Sequence, residues 1–209
     1  MRPPAPLDEK TLARAVGLLA RRDADLARVV AEYGWPPLWA REQGFPTLVH
    51  VILEQQVSLA SARAAFDRLG ALASPLTPET FLRLDDAQLR RAGFSRQKTA
   101  YARGLAQALD EGSLDLAALA RLGDDEAKAV LLRLKGVGEW TADIYLLMAL
   151  LRPDAWPAKD LALAVAVREV KRLPAPPTPP ELEAVGDAWR PYRAAAARIL
   201  WHYYLSRKK

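Results

Sequence analysis

Residues 134–142 read LKGVGEWTA. The stretch lies between two segments whose apolar residues recur at helical spacing, 124–134 and 139–151, so Gly136 and Gly138 fall in a very short turn between two helices. Two glycines around one apolar residue give the backbone access to positive φ, while Val137 between them anchors the turn in a core. The amides of such a turn and of the helix start that follows point outward together. With the helix dipole they form a site for a phosphate. Glycine pairs at helix ends are common, so this local reading leaves an ordinary helix–helix turn open beside a phosphate-gripping one.

Outward from that turn the same periodicity holds almost everywhere, as in Leu12, Val16 and Leu19, or Leu48, Val51 and Ile52, and sustained period-two alternation is missing. The expected fold class is all-α, in two helical lobes with a cleft between them. Helix starts are marked by Asp8, Thr77 before Pro78, Asp85 with Gln88, Ser95, Asp124, and Thr178 before Pro179. Gly70, Gly93, Gly112 and Gly123 are read as helix stops. Roughly ten short helices follow from these signals. LPAPPTPP at 173–180 forbids a helix and reads as a connector crossing between lobes. Residues 1–50 with 161–209 are expected to form a terminal lobe, and 51–160 a central one carrying the hairpin at 124–151.

The 209 residues suit one or two compact lobes. Basic residues number 30 against 25 acidic, a net +5, and arginine outnumbers lysine. That balance permits a polyanionic partner without requiring one, since coding bias also enriches arginine. Cysteine is absent, which excludes disulfides, cysteine-ligated zinc and a cysteine-held iron–sulfur cluster. MRPPAPLDEK lacks an apolar signal core, and the longest apolar stretch, 144–151, is too short to span a bilayer. A cytoplasmic, nucleoid-associated protein with no membrane partner is the expectation.

The full string L-x-G-V-G-x-x-T-A, carried by Leu134, Gly136, Val137, Gly138, Thr141 and Ala142, resembles the hairpin signature of the helix-hairpin-helix (HhH-GPD) DNA glycosylases. Many members have proline where this chain has Lys135, so the turn is less constrained and the lysine adds a candidate phosphate contact. The resemblance covers approximately residues 45–205. It implies double-stranded DNA as partner, gripped through Lys135, Gly136, Val137, Gly138 and Thr141, and a monomer. No cofactor is required by it. An alkali cation, Na+ or K+, on the carbonyls of Leu134 and Val137 is a further expectation at the hairpin.

Asp160 lies 20 residues beyond Trp140, in WPAKDLALAVAVREV, just before a strongly apolar helix. Its local context alone reads as an N-cap. In the family resembled, the catalytic aspartate heads the helix after the hairpin at about this separation, which makes Asp160 the catalytic candidate, with Asp154 a weaker one. Capping and catalysis are compatible, because the amides and dipole of a helix start favour an anion. A carboxylate there would stabilise an oxocarbenium-like sugar and orient the attacking water.

Members that also cleave the DNA backbone carry a nucleophilic lysine where this chain has Trp140. The resemblance therefore implies a monofunctional enzyme of the alkyladenine subfamily, 3-methyladenine glycosylase II type, without AP lyase activity and without the subfamily's N-terminal β domain. A cationic alkylated base stacks on an indole; plain core packing is the other reading of Trp140. The tail AWRPYRAAAARILW resembles the subfamily's W-[RK]-P-[WY]-R pattern and makes Trp201 a second pocket aromatic, with Leu161 beside it. A pocket tyrosine expected one turn after Trp140 is Ile144 here.

ILEQQVSLASARAAF, 52–66, resembles the segment carrying the wedge that fills the gap left by an extruded base. Gln55, Val57 and Ser58 match, and Gln56 takes the wedge position, a solvated turn glutamine being the alternative. Ser58 is placed to cap the next helix. GFSRQKTAYARGLA, 93–106, offers Arg96 and Lys98 to phosphate, or simply a solvated basic face. The function implied is excision of alkylated bases in base excision repair. The alternatives are a non-catalytic helix-hairpin-helix DNA-binding module, with Asp160 only a cap, and a helical scaffold unrelated to nucleic acid.

Overall fold

The computed structural model describes residues 4–207, and among them there are thirteen helices and no strand. The all-α expectation is met. Local chemistry explains most helix starts: the side chains of Asp8, Asp23, Ser58, Thr77, Asp85, Ser95, Asp115 and Asp160 each accept an amide of their own first turn. Two glycine readings change. Gly70 lies inside a helix, and Gly123 stands at the N-cap of the next one with φ −64, whereas Gly93 ends its helix in the left-handed region at φ 105.

The chain divides into two compact units, one spanning 41–145 and the other built from 4–40 and 146–207. The breaks at 40/41 and 145/146 precede those expected at 50/51 and 160/161. The helix that begins at Phe45 belongs whole to the first unit, and the loop 151–160 is tied to the C-terminal helices. The proline-rich stretch 173–180 links two helices of the same unit rather than crossing between units.

In the second unit, α1 (Glu9–Arg22) and α2 (Ala24–Tyr33) pack with α11 (Leu161–Lys171), α12 (Pro179–Asp187) and α13 (Arg193–Ser206). The first half of α13 is enclosed on all sides: Ala194 to Ala197 are fully buried, small enough for neighbouring backbones to approach. Arg198 follows, 0 % exposed. Its guanidinium donates to three carbonyls, Leu38 at 2.7 Å, Leu147 at 2.9 Å and Ala194 at 3.0 Å. Burial holds it down to about 10, still far above neutrality.

The first unit runs α3 (Phe45–Glu54), α4 (Leu59–Leu72), α5 (Pro78–Leu82), α6 (Asp86–Ala92), α7 (Arg96–Asp110), α8 (Leu116–Leu119) and α9 (Asp124–Leu132) into α10 (Glu139–Met148), within which the division falls. Its central element is α3, against α4 and α7. Phe45, Leu48, Val49, Val51, Ile52 and Leu53 are all buried, each contributing on the order of 1.5–3 kcal/mol by leaving water. Glu54, also buried, is satisfied by a two-pronged ion pair from Arg41 at 3.0 and 2.7 Å. His50 stacks on Phe66 at 4.3 Å, and burial lowers its pKa despite Glu54 at 3.7 Å, whose charge Arg41 already neutralises.

Candidate nucleic-acid interface and active-site carboxylate

Within the first unit, α9, the turn and α10 form the expected helical hairpin. The turn closes through the Val137 amide on the Leu134 carbonyl at 3.0 Å, and Val137 is buried. Only one of the two glycines uses positive φ. Gly136 stands at φ 90, and a Cβ there would lie 2.1 Å from Cγ of Tyr101, whose ring covers it. Gly138 is exposed with open space around its Cα, and no positive φ demands glycine there. What its missing side chain preserves is access to the amides at the start of α10. Lys128 of α9 and the buried Asp143 of α10 form an ion pair at 2.7 Å that braces the two arms.

Lys135 is exposed at the turn, and Thr141 is 2 % exposed in the first turn of α10. Trp140 beside it is half-buried, while Ile144, one turn on, is core at 3 % exposure. The α3–α4 turn presents Gln56 exposed in the left-handed region at φ 57, a conformation uncommon for a residue with a Cβ. Val57 and Leu59 flank it, 46 % and 59 % exposed, and Ser58 caps α4 through the Ser61 amide. Lys98 differs from expectation. Its ammonium is half-buried and donates to the Leu53 carbonyl at 2.7 Å, where it satisfies the C-terminal end of α3 instead of facing outward, and burial lowers its pKa.

In the second unit, Asp160 is the N-cap of α11 and half-exposed. Its Oδ1 accepts the Leu163 amide at 2.7 Å and the indole N–H of Trp201 at 3.1 Å. Trp201, 7 % exposed on α13, thus stands against the carboxylate, and Leu161 next to it is 75 % exposed. Sequence reasoning made Trp201 a pocket aromatic and missed its role as a donor.

The loop leading to Asp160 is tied down throughout. The Leu151 carbonyl accepts the Leu7 amide at 2.8 Å, the Pro153 carbonyl accepts the Ala194 amide at 3.0 Å, and Trp156 donates to the Leu182 carbonyl at 3.1 Å. Gly186 must be glycine, because its Cβ would sit 2.7 Å from Nε1 of Trp156. Asp154 receives Arg190 and Arg193. Its carboxylate is therefore an anchor, and the arginines of the W-R-P-Y-R tail hold that anchor. Trp189 donates to Asp23 at 2.8 Å, and Lys171 salt-bridges the same carboxylate. Burial alone would raise the Asp23 pKa, but these donors outweigh it and lower it.

Among the described residues no helix is long and apolar enough to cross a membrane, and no cluster of three or more His, Cys, Asp or Glu could hold a metal ion. The family described as HhH-GPD superfamily base excision DNA repair protein matches residues 49–191. DNA-3-methyladenine glycosylase 1 of Schizosaccharomyces pombe is 29 % identical over 180 residues, covering 84 % of this chain and 79 % of that protein. The YfjP protein of Bacillus subtilis is 28 % identical over 185 residues, and the chain spans 64 % of its length. A solved structure of the S. pombe 3-methyladenine DNA glycosylase in complex with abasic DNA superposes with a TM-score of 0.87 at 29 % identity, covering 94 % of this chain and 100 % of that one.

Proposed function

The chain belongs to the HhH-GPD superfamily of base excision DNA repair proteins, and from that premise we propose that it is a monofunctional DNA glycosylase hydrolysing the N-glycosidic bond of alkylated bases of the 3-methyladenine type. The observation that carries the reading is Asp160, a half-exposed carboxylate at the head of α11 with one oxygen fixed by the Leu163 amide and the Trp201 indole. Likeness to the S. pombe protein named DNA-3-methyladenine glycosylase 1 supports the substrate class.

In this reading the hairpin amides at 136–138, with Lys135, hold a phosphate without reading sequence. Gln56, supported by Val57 and Leu59, fills the space of the extruded nucleotide. Trp140 stacks on the cationic base and gains about 1–2 kcal/mol over a neutral one when desolvated. As the C1′–N bond breaks, its electron pair neutralises the base, which leaves without a strong general acid. Asp160 stabilises the positive sugar and takes the proton of the water that adds to C1′. With tryptophan in place of an amine at 140, no Schiff base forms and an abasic site is the product.

An alkali cation at the turn would be held by the Leu134 and Val137 carbonyls and would add positive charge at the hairpin. The first accepts one amide and keeps a second lone pair. We further assign the protein to the cytoplasm, on nucleoid DNA, as a monomer. The test is to profile bases released from alkylated duplex DNA by wild type and Asp160→Asn, with borohydride trapping alongside. Release of methylated purines that Asp160→Asn abolishes, with no trapped adduct, is the expected result. Normal release by a folded Asp160→Asn variant would overturn the assignment.

A further inference from the structure

Two consecutive glutamines follow the last turn of α3, and their side chains have opposite surroundings. Gln56 is exposed and left-handed at φ 57. Gln55 is half-buried, and its Nε2 donates to both the Gly136 carbonyl at 2.9 Å and the Thr141 hydroxyl at 2.9 Å. A primary amide nitrogen has two N–H donors. Here one reaches the hairpin turn and the other the first turn of α10, across 81 and 86 residues of sequence. Thr141 is 2 % exposed, so a lost partner there would leave a polar atom away from water.

The same turn is secured from both flanks. Lys98 holds the Leu53 carbonyl on one side, and Ser58 caps α4 on the other. A left-handed glutamine persists where its neighbours over-determine the backbone. We propose that Gln55 is a positioning residue that locks the Gln56 turn to the phosphate-gripping hairpin, so that clamping the DNA backbone and inserting the wedge happen as one rigid step. The inference rests on the glycosylase reading and adds to it a division of labour within the glutamine pair: the first glutamine braces and the second fills.

A brace acting through Gln56 makes a prediction that a merely structural residue does not: its loss is redundant with loss of the wedge. The probe is a duplex with a tetrahydrofuran abasic analogue beside 2-aminopurine, whose fluorescence rises when stacking is broken. Gln55→Ala is expected to reduce that rise and the single-turnover excision rate roughly tenfold, the order of two net hydrogen bonds. Affinity for undamaged duplex stays within about twofold, since the phosphate-binding amides remain. The double variant Gln55→Ala/Gln56→Ala should match Gln56→Ala alone. Gln55→Glu should fall at least as far as Gln55→Ala, because a carboxylate has no N–H for the Gly136 carbonyl.

Where Gln55→Ala melts below the assay temperature, Gln55→Met, which removes both N–H donors while keeping side-chain length, is read in its place with the same expectations. Losses that multiply in the double variant, or a Gln55→Ala enzyme indistinguishable from wild type, would overturn the brace. Extrusion is read without excision, so failure of the catalytic reading leaves its own signature: normal fluorescence with no base released. A wild type that neither extrudes nor excises overturns both.

Discussion

The indole N–H of Trp201 and the Leu163 amide converge on the same oxygen of Asp160, at 3.1 and 2.7 Å. A side chain 41 residues further along the chain therefore fixes the orientation of the carboxylate at the head of α11. Both donors address one oxygen, so the rotation of the carboxyl group is set by protein atoms.

Trp201→Phe keeps an aromatic ring and removes the N–H. Loss of one hydrogen bond to a charged group should lower the single-turnover excision rate by roughly 10- to 100-fold. Affinity for an abasic duplex, read by fluorescence anisotropy, should change far less. A larger loss of affinity than of rate would mean that Trp201 acts by stacking alone.

The two hairpin glycines should respond differently to alanine. Gly136→Ala meets both the Tyr101 ring at 2.1 Å and a φ of 90, and is expected to lower thermal stability by at least about 2 kcal/mol. Gly138→Ala meets nothing within 4 Å and should leave stability within about 0.5 kcal/mol. Duplex affinity should nonetheless fall several-fold, because the new methyl group stands where the proposed phosphate contact needs open access to the amides.

Asp154 and Asp160 should separate cleanly. Asp154 is ion-paired to Arg190 and Arg193, so Asp154→Asn should lower the melting temperature while retaining excision within about tenfold of wild type. Arg193→Met, which strips Asp154 and Glu183 of a buried partner, is expected to cost about 1–3 kcal/mol of stability by chemical denaturation. If Asp154→Asn were the inactive variant and Asp160→Asn the active one, the roles would have to be exchanged.

His50 gives a pH dependence of definite sign. Burial lowers its folded-state pKa, with Arg41 and Arg63 acting in the same direction and Glu54 and Asp67 opposing. Above about pH 6.5 it is neutral folded and unfolded alike. As pH falls through that value the unfolded chain takes the proton first, so stability declines until the folded-state pKa is passed. His50→Phe removes this component. Its stability relative to wild type should therefore rise between pH 7 and pH 5 in urea denaturation, and a constant difference would show that His50 does not titrate there.

What the sequence disclosed was what neighbouring residues decide among themselves. Asp85, Ser95 and Asp160 could be read as caps because a cap bonds an amide two or three residues away. The hairpin was legible because its glycines and Val137 act within one turn. The Tyr101 ring over Gly136 and the bond from Trp201 to Asp160 have no local signature, since each joins segments brought together only by packing. Lys98 looked like a phosphate ligand for the same reason: sequence shows its charge but not the Leu53 carbonyl that receives it. The break at 145/146 left no mark because it falls within α10, and the one at 40/41 lies inside the irregular stretch between α2 and α3, where no single residue marks the change of unit.

Arg198 carries one more consequence. Its three carbonyl partners come from residues 38, 147 and 194, so in a nascent chain the Leu38 and Leu147 carbonyls wait for this donor until α13 is made. Residues 41–145 are contiguous and can condense earlier, while 4–40 wait. A ribosome stalled before α13 would therefore expose one finished unit beside one that lacks its keystone, and quality-control proteases would find the apolar faces of α1 and α2 uncovered.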